Sequence, residues 1–306
     1  MYHSFSLIYN KILRKIDSGS AWRHGRICFR AAKPNRCHRY ENMFIPEKIS
    51  RLLAEEKYET DSIGMSDASV LIYKDKVLKI QEHNEEADNE CRMMRYLQGR
   101  LPVPELYAYE TADGRSYMLM SKCPGEMSCS GGYMNNPQLL CRLLANGLKM
   151  LWDTDISDCP SNQGLSRKLA QAEYNVKNGL VDIDNVEPDT FGENGFKNPA
   201  GLLQWLYDNQ PMEEPVLSHG DYCLPNIFGS GEQLSGYIDL GKTGISDKWC
   251  DIAICYRSLL HNYSGKYANI DKTGYPDFDE MLLFSELGIE PNWEKIRYYR
   301  LLDELF

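Results

Sequence analysis

The segment HGDYCLPN, residues 219–226, decides the fold, and IDLG follows it at residues 238–241. Apolar runs between the two segments, on either side of a Gly-Ser-Gly-Glu turn, predict an antiparallel hairpin centred between residues 232 and 233. Asn226 and Asp239 would then lie opposite each other at the open end of this hairpin. Two side-chain oxygens that converge in this way form a candidate cation site.

The oxygen-rich residue types at these positions indicate a particular chemistry. Mg²⁺ takes oxygen ligands, often one or two from the protein and the rest from phosphates and water. Asp221 lies five residues before Asn226, within reach of a nucleophile that approaches the same phosphates. An Asp beside a Gly is common in ordinary turns, but the joint pattern is far less expected by accident. His219 is interpreted as a buried residue that hydrogen-bonds the loop, not as a catalyst.

The elements on the N-terminal side of this segment follow the order strand, strand, helix, strand, strand. The second pair of strands flanks an Asp-Gly turn at residues 113–114, which is typical of a tight hairpin. After Pro124-Gly125 the apolar spacing becomes mainly helical. The sequence therefore predicts an α+β fold with a small sheet lobe, a larger helical lobe and a cleft at residues 120–125. The helices are predicted at residues 46–57, 85–98, 136–152, 165–178, 199–207, 251–260 and 280–287.

Composition and charge limit the class of protein. The chain has 306 residues with 42% hydrophobic residues and a net charge of −10, which favours a globular protein of one or two lobes. Residues 1–42 hold nine Lys or Arg and two acids, so the remainder carries −17. Such a field repels nucleic acid, although acidic surfaces also simply keep enzymes soluble. No apolar run approaches the length of a membrane span, so a cytoplasmic protein with reduced cysteines is expected.

The chain resembles the aminoglycoside 3'-phosphotransferase family, relatives of the protein kinases, from about Ile63 to Phe306. The resemblance rests on several ordered motifs in addition to the His-Gly-Asp loop. They are GMS at 64–66, VLKI at 77–80, LPVP at 101–104, LMS at 119–121, DISDCP at 155–160 and LDELF at 302–306.

This resemblance implies a two-lobed, protein-kinase-like fold that binds ATP and Mg²⁺. Lys79 resembles the lysine that holds the α- and β-phosphates, and Glu90 its ion-pair partner. Asp221 would be the catalytic residue, and Asn226 and Asp239 the metal ligands. Other expected nucleotide contacts come from Ser66 in the phosphate-covering loop and from the main chain of Ser121 and Cys123.

Acidic residues in the half that would face the acceptor suit a cationic substrate. For the loop at 182–189, solvated surface acids and substrate ligands are equally good interpretations, and for the chain terminus the substrate role is favoured. The predicted substrate-binding set is Asp182, Asp184, Glu187, Asp189, Asp303, Glu304 and Phe306.

Three positions depart from the family pattern. Aliphatic Val77 stands where relatives often stack an aromatic ring on adenine, and Lys242 stands where Arg is frequent. His261-Asn262 lies where some relatives carry acids that contact the drug. These differences leave the range of substrates open.

The sequence as a whole predicts an ATP-dependent kinase acting on the 3'-hydroxyl of aminoglycosides and conferring resistance. The domains would be a basic extension at 1–42, an N-terminal nucleotide-binding lobe at 43–122 and a C-terminal catalytic and substrate-binding lobe at 123–306. Neither nucleic acid nor membrane is expected as a partner, and the oligomeric state is not predicted. The alternatives are a kinase of the same fold for another small-molecule alcohol, or a nucleotide-binding module without catalysis.

Overall fold

A five-stranded antiparallel sheet forms the N-terminal lobe of the computed structural model, which describes residues 44–54, 57–61, 69–266 and 274–306. The elements of this lobe are α1 (Glu47–Leu53), β1 (Glu59–Asp61), β2 (Ser69–Ile72), β3 (Lys76–Glu82), α2 (Glu85–Leu97), β4 (Leu106–Ala112) and β5 (Arg115–Ser121). The strands lie in the order β1-β2-β3-β5-β4. Helix α2 follows β3, and the side chain of Asn84 caps the α2 N-terminus by accepting a hydrogen bond from the Ala87 N–H.

The two faces of β3 separate the lobe's core from the cleft. Leu78 and Ile80 are buried in a cluster with α1 and the neighbouring strands. Lys79 points the other way, as expected from the alternation of side chains along a strand, and is 5% exposed. Strand β3 thus carries one buried cation on its cleft side.

Helices dominate the C-terminal lobe. Asn136 caps α4 by accepting from the Leu139 N–H, and Pro137 occupies the first turn. The helices are α3 (Gly131–Met134), α4 (Pro137–Trp152), α5 (Leu165–Lys177), α6 (Pro199–Asp208), α7 (Lys248–Tyr263), α8 (Leu282–Leu287) and α9 (Trp293–Asp303). Among the described residues, no helix combines the length and the apolar character needed to cross a bilayer.

Short strands and two 3₁₀ turns hold the central loops of this lobe. Strands β6, β8 and β9 form one small sheet, and β7 pairs with β10 in another. They are β6 (Glu126–Met127), β7 (Pro215–Ser218), β8 (Ile227–Ser230), β9 (Gln233–Tyr237) and β10 (Gly244–Asp247), with 3₁₀ turns at Leu224–Asn226 and Leu240–Lys242. The α+β class and the two lobes agree with the sequence prediction.

Several details differ from the sequence prediction. Pairing within the hairpin shifts at a bulge between Phe228 and Gly229, so that Ile227 pairs with Tyr237 and the Ile238 N–H donates to the Asn226 carbonyl. Asn226 therefore lies opposite Ile238, and the predicted pairing with Asp239 is wrong by one residue. The turn is centred between residues 231 and 232, because Ser230 pairs with Gln233, and this centre alone would place Asn226 opposite Tyr237. The bulge adds a residue to the second strand and moves the partner of Asn226 on to Ile238. The sequence prediction also missed β1, β6, the β7–β10 pair and α9. The predicted extension at 1–42 lies outside the described residues.

Candidate active site

The His-Gly-Asp loop follows β7, and Asp251 on α7 holds it in place through hydrogen bonds. The buried Asp251 carboxylate accepts the N–H groups of His219 and Gly220, each at 2.8 Å. Gly220 has a φ of +82°, and a Cβ there would lie 2.1 Å from the Lys242 carbonyl oxygen. Only glycine fits such a position without movement of the backbone.

His219 is fully buried and hydrogen-bonded, as the sequence indicated. Its Nε2 lies 3.0 Å from the Ile238 carbonyl oxygen, and its Nδ1 accepts the Asp221 N–H at 3.3 Å. These two contacts assign the proton of a neutral ring to Nε2. The ring thereby ties the His-Gly-Asp loop to the end of the hairpin.

Asp221 and Asn226 are in direct contact. The Asn226 Nδ2 donates to the main-chain carbonyl of Asp221 at 3.0 Å and to its Oδ2 at 3.1 Å. Both amide protons are used in this way, so the Asn226 Oδ1 is the atom left to face a cation. The amide also fixes the orientation of the Asp221 carboxylate.

Asp239 and Lys79 join the two lobes across the cleft. The Lys79 Nζ lies 2.7 Å from Glu90 Oε2 and 2.9 Å from Asp239 Oδ1. Burial acts to lower the pKa of Lys79, but the charges of Asp239 and Glu90 and their hydrogen bonds outweigh it and raise this pKa. Burial acts to raise the pKa of Asp239, and the contact with Lys79 outweighs it, so Asp239 stays ionised.

Asp239 adopts a left-handed conformation, with φ 61° and ψ 59°. This conformation is uncommon for a residue with a Cβ and is found disproportionately at functional sites. In this conformation the Asp239 Oδ1 contacts Lys79, and Oδ2 is placed to bind a second partner.

Helix α2 contributes two further residues that the sequence prediction missed. The buried Asn89 amide donates to the carbonyls of Gly241 and Thr243 at 2.8 and 2.9 Å. Glu86 packs where a Cβ on Gly241 would stand, 2.6 Å from its Cγ. Burial raises the pKa of Glu86, and Lys242 acts in the opposite direction. The i, i+4 spacing of Glu86 and Glu90 on one helix face was the available signal.

An apolar cleft opens between the lobes above these charges. The Glu105 N–H donates to the Ser121 hydroxyl at 3.0 Å, and the Ser121 N–H donates to the Glu105 carbonyl at 2.9 Å. The Glu105 N–H thus donates its hydrogen bond to the hydroxyl of Ser121 and not to the main-chain carbonyl of Ser121. The lining residues are Val70, Ile72, Val77, Lys79, Glu90, Pro104, Met120, Ser121, Cys123, Met127, Pro225, Asn226, Ile238 and Asp239.

The polar end of this cleft brings together most of the predicted nucleotide and metal residues. Among the described residues, no group of three or more His, Cys, Asp or Glu side chains forms a metal site. Two oxygen ligands, from Asn226 and Asp239, nevertheless fit a cation that takes its other ligands from phosphates and water. Ser66, predicted in the phosphate-covering loop, lies outside the described residues.

The predicted substrate acids divide into two groups. Asp182 and Asp184 belong to one exposed turn, in which the Asp182 side chain accepts from the Asp184 N–H and from Asn185. Glu187, in contrast, reaches the chain terminus, because its N–H donates to Glu304 Oε2 at 3.0 Å. Asp189 lines a second cavity together with Glu187 and Glu304.

The terminal acids are offset by cations of the same chain, which the sequence prediction missed. The Arg257 guanidinium pairs with Asp303 and lies 3.6 Å from Glu304 Oε1. Burial raises the pKa of Glu304 to about 7, although Arg257 acts to lower it. The Lys242 ammonium lies 5.5 Å from the centre of the Phe306 ring. The predicted acceptor side is therefore less negative than the sequence alone implied.

The model of the phosphotransferase enzyme family matches residues 57–284. An aminoglycoside 3'-phosphotransferase of Enterococcus faecalis is 38% identical over 277 residues, covering 86% of this chain and 99% of that protein. The chain belongs to the aminoglycoside 3'-phosphotransferase family. A second member, from Staphylococcus aureus, is 37% identical over 276 residues, with 86% and 99% of the two chains covered.

Membership of this family agrees with the fold. The structure of an aminoglycoside-3'-phosphotransferase of type VIII is similar, with a TM-score of 0.69 at 21% identity, covering 84% of this chain and 97% of that one. This likeness confirms the two-lobed kinase-like architecture. The roles of the individual site residues remain predictions.

Proposed function

We propose that this protein transfers the γ-phosphoryl group of ATP to the 3'-hydroxyl of aminoglycosides and thereby confers resistance. One observation carries the proposal beyond family membership. Asp221 is in contact with Asn226, Lys79 pairs with Asp239, and Asn226 and Asp239 both line the cleft. An apolar cleft for a base, a cation for phosphates and a carboxylate for a hydroxyl are the parts that phosphoryl transfer requires.

The nucleotide would lie with its base in the apolar part of the cleft. The aliphatic side chains of Val70, Val77 and Ile238 line this part, so they would sandwich the base through dispersion and burial. The carbonyl of Ser121 and the main chain of Cys123 would contact its polar edge. Lys79 would neutralise charge on the α- and β-phosphates while Glu90 holds its ammonium in place.

Asp221 would orient the acceptor hydroxyl and accept its proton. The acceptor oxygen forms a bond to the γ-phosphorus as the bond from that phosphorus to the β,γ-bridging oxygen breaks, and ADP leaves with the bridging oxygen. The acceptor proton passes to an Asp221 oxygen and later to solvent. Asn226 and Asp239 would hold Mg²⁺, which supplies charge neutralisation on the phosphates. Positioning of the two reactants supplies most of the remaining acceleration.

The compartment and the partners follow from the substrates. A kinase that uses ATP and removes a drug before the drug reaches its intracellular target would act in the cytoplasm. The described residues of the acceptor side present carboxylates near Arg257, and such a mixed surface suits a polar, cationic sugar rather than nucleic acid.

A kinase for another small-molecule alcohol is the second candidate. It is favoured by the internal cations Arg257 and Lys266 and by His261, which leave fewer free carboxylates for a polyamine. A non-catalytic nucleotide-binding module is the third alternative, and the complete set of charged residues in the cleft argues against it.

Turnover assays test the proposal directly. The purified chain should form ADP in the presence of MgATP and kanamycin, and mass spectrometry should place the phosphate on the 3'-oxygen. An aminoglycoside that lacks the 3'-hydroxyl is the matched control and should not be phosphorylated. Turnover of a small amino alcohol without turnover of kanamycin would support the second candidate, and the absence of substrate-dependent turnover would support the third.

A further inference from the structure

Glu187 in the acceptor-side loop is contacted by the ammonium group of one lysine and by the imidazole of one histidine of the same chain. Its Oε1 lies 2.7 Å from the Lys266 Nζ and 2.9 Å from the His261 Nε2. The hydrogen bond from His261 is the largest effect on the Glu187 carboxyl, burial opposes it, and Lys266 adds to it, so that the pKa is lowered to about 2. Glu187 is thus charged at neutral pH and already has its partners.

Three basic groups that contact Glu187, Asp303 or Glu304 differ in their freedom to move. The side chains of Arg257 and His261 lie on α7 and are each 8% exposed. The Lys266 side chain, in the turn after α7, is 40% exposed. A half-exposed lysine on a four-carbon stem can leave its partner at little cost, because water replaces the lost contact.

We propose that the Lys266 ammonium occupies the place of a substrate ammonium group, which must displace it to reach Glu187, so that Lys266 sets the affinity for cationic acceptors. This inference rests on the proposed function, since it requires an acceptor that carries an ammonium group. Lys266 competes with the substrate ammonium group for Glu187. It lowers the affinity for an acceptor whose ammonium group must reach Glu187 and has no effect on an acceptor that presents no cation there.

A charge-removing variant separates this role from a structural one. Burial of Lys266 is modest, so Lys266→Met should fold, and a melting curve checks this. Its KM for kanamycin should fall about two- to fivefold, the range that corresponds to the loss of an exposed ion pair, while kcat stays unchanged. Lys266→Arg keeps a cation at the site and should retain the wild-type KM.

Lys177→Met is the matched control. Lys177 pairs with Glu173 at 2.7 Å and is 69% exposed on α5, so the variant makes the same change in net charge outside the acceptor region. Its KM should equal that of the wild type. A fall in KM of equal size in both Met variants would identify a general charge effect and overturn the proposal.

The outcomes distinguish this proposal from the proposed function. Wild-type turnover of kanamycin with a KM that is unchanged or higher in Lys266→Met overturns the role of Lys266 alone. Without turnover, calorimetric titration of kanamycin into the wild type and Lys266→Met, both without nucleotide, still compares their affinities. Tighter binding by Lys266→Met supports the displacement, and equal or absent binding overturns it.

Discussion

Replacement of Asp251 by Asn tests how the catalytic loop is held. The wild-type carboxylate accepts two main-chain N–H groups at 2.8 Å and is fully buried. An Asn side chain of the same shape offers one oxygen and one NH₂ group, so one of the two N–H groups would face a donor. We expect the loop to lose one hydrogen bond and to shift.

The magnitude follows from two opposing effects. A buried N–H without an acceptor costs about 1–3 kcal/mol. Burial also raises the pKa of Asp251, which shows that the ionised form is itself penalised, so loss of the charge offsets part of the reduced hydrogen bonding. The net destabilisation should therefore lie in the lower part of this range, about 1–2 kcal/mol, with a fall in Tm of about 2–4 °C per kcal/mol for a chain near this size.

Activity should fall further than stability. A shift of about 1 Å in a catalytic group can lower the rate about a hundredfold, so kcat should fall by at least tenfold at a temperature where the variant is folded. Thermal melts and steady-state kinetics measure the two effects. Asp113→Asn, an isosteric change at an exposed turn residue with φ 50°, is the control. A Tm and kcat equal to those of the wild type in Asp251→Asn would refute this reasoning.

Three other predictions concern the charged groups of the site. Asp221→Asn should fold and bind ATP but lose kcat by about a hundredfold or more, because Asn cannot accept the proton; near wild-type kcat would contradict the assignment. Lys79→Met should raise the KM for MgATP and lower the Tm, because two carboxylates in the cleft lose their shared cation; an unchanged KM for MgATP would contradict it. Burial raises the pKa of Glu304 to about 7, so this group gains a proton as pH falls through 7. The KM for the aminoglycoside should therefore rise below pH 7 in the wild type but not in Glu304→Gln, and equal pH profiles would exclude this role.

The sequence predicted those parts of the fold that depend on local patterns. The helices that begin near residues 85 and 136 and the tight hairpin turn at residues 113–114 were predicted from neighbouring residues and are present in the structure. The contact between Lys79 and Glu90 was expected only from family resemblance. Spacing alone could not show that the carboxylate of Asp239 also reaches Lys79, because that contact spans the two lobes.

Errors arose where distant residues or small irregularities decide the geometry. The hairpin turn is centred one residue earlier than predicted, and a bulge after Phe228 then moves the register back by one residue. No residue type in the hairpin marks the bulge. The pairing of Gly244 with Ser218 joins short strands separated by the hairpin. The neutralisation of Glu187 by Lys266 and of the terminal acids by Arg257 depends on α7 and the turn that follows it, which lie far from Glu187 in sequence.

Asn89 has a consequence for how the enzyme is controlled. Its amide fastens α2 to the main chain that follows Asp239, and the pair of Lys79 with Glu90 is complete in the same arrangement. In this arrangement α2 already stands where the ion pair of Lys79 and Glu90 forms. Under the proposed function, nucleotide binding would then need no prior rotation of this helix, and the output in the cell would be set by the amount of protein made and by the supply of drug.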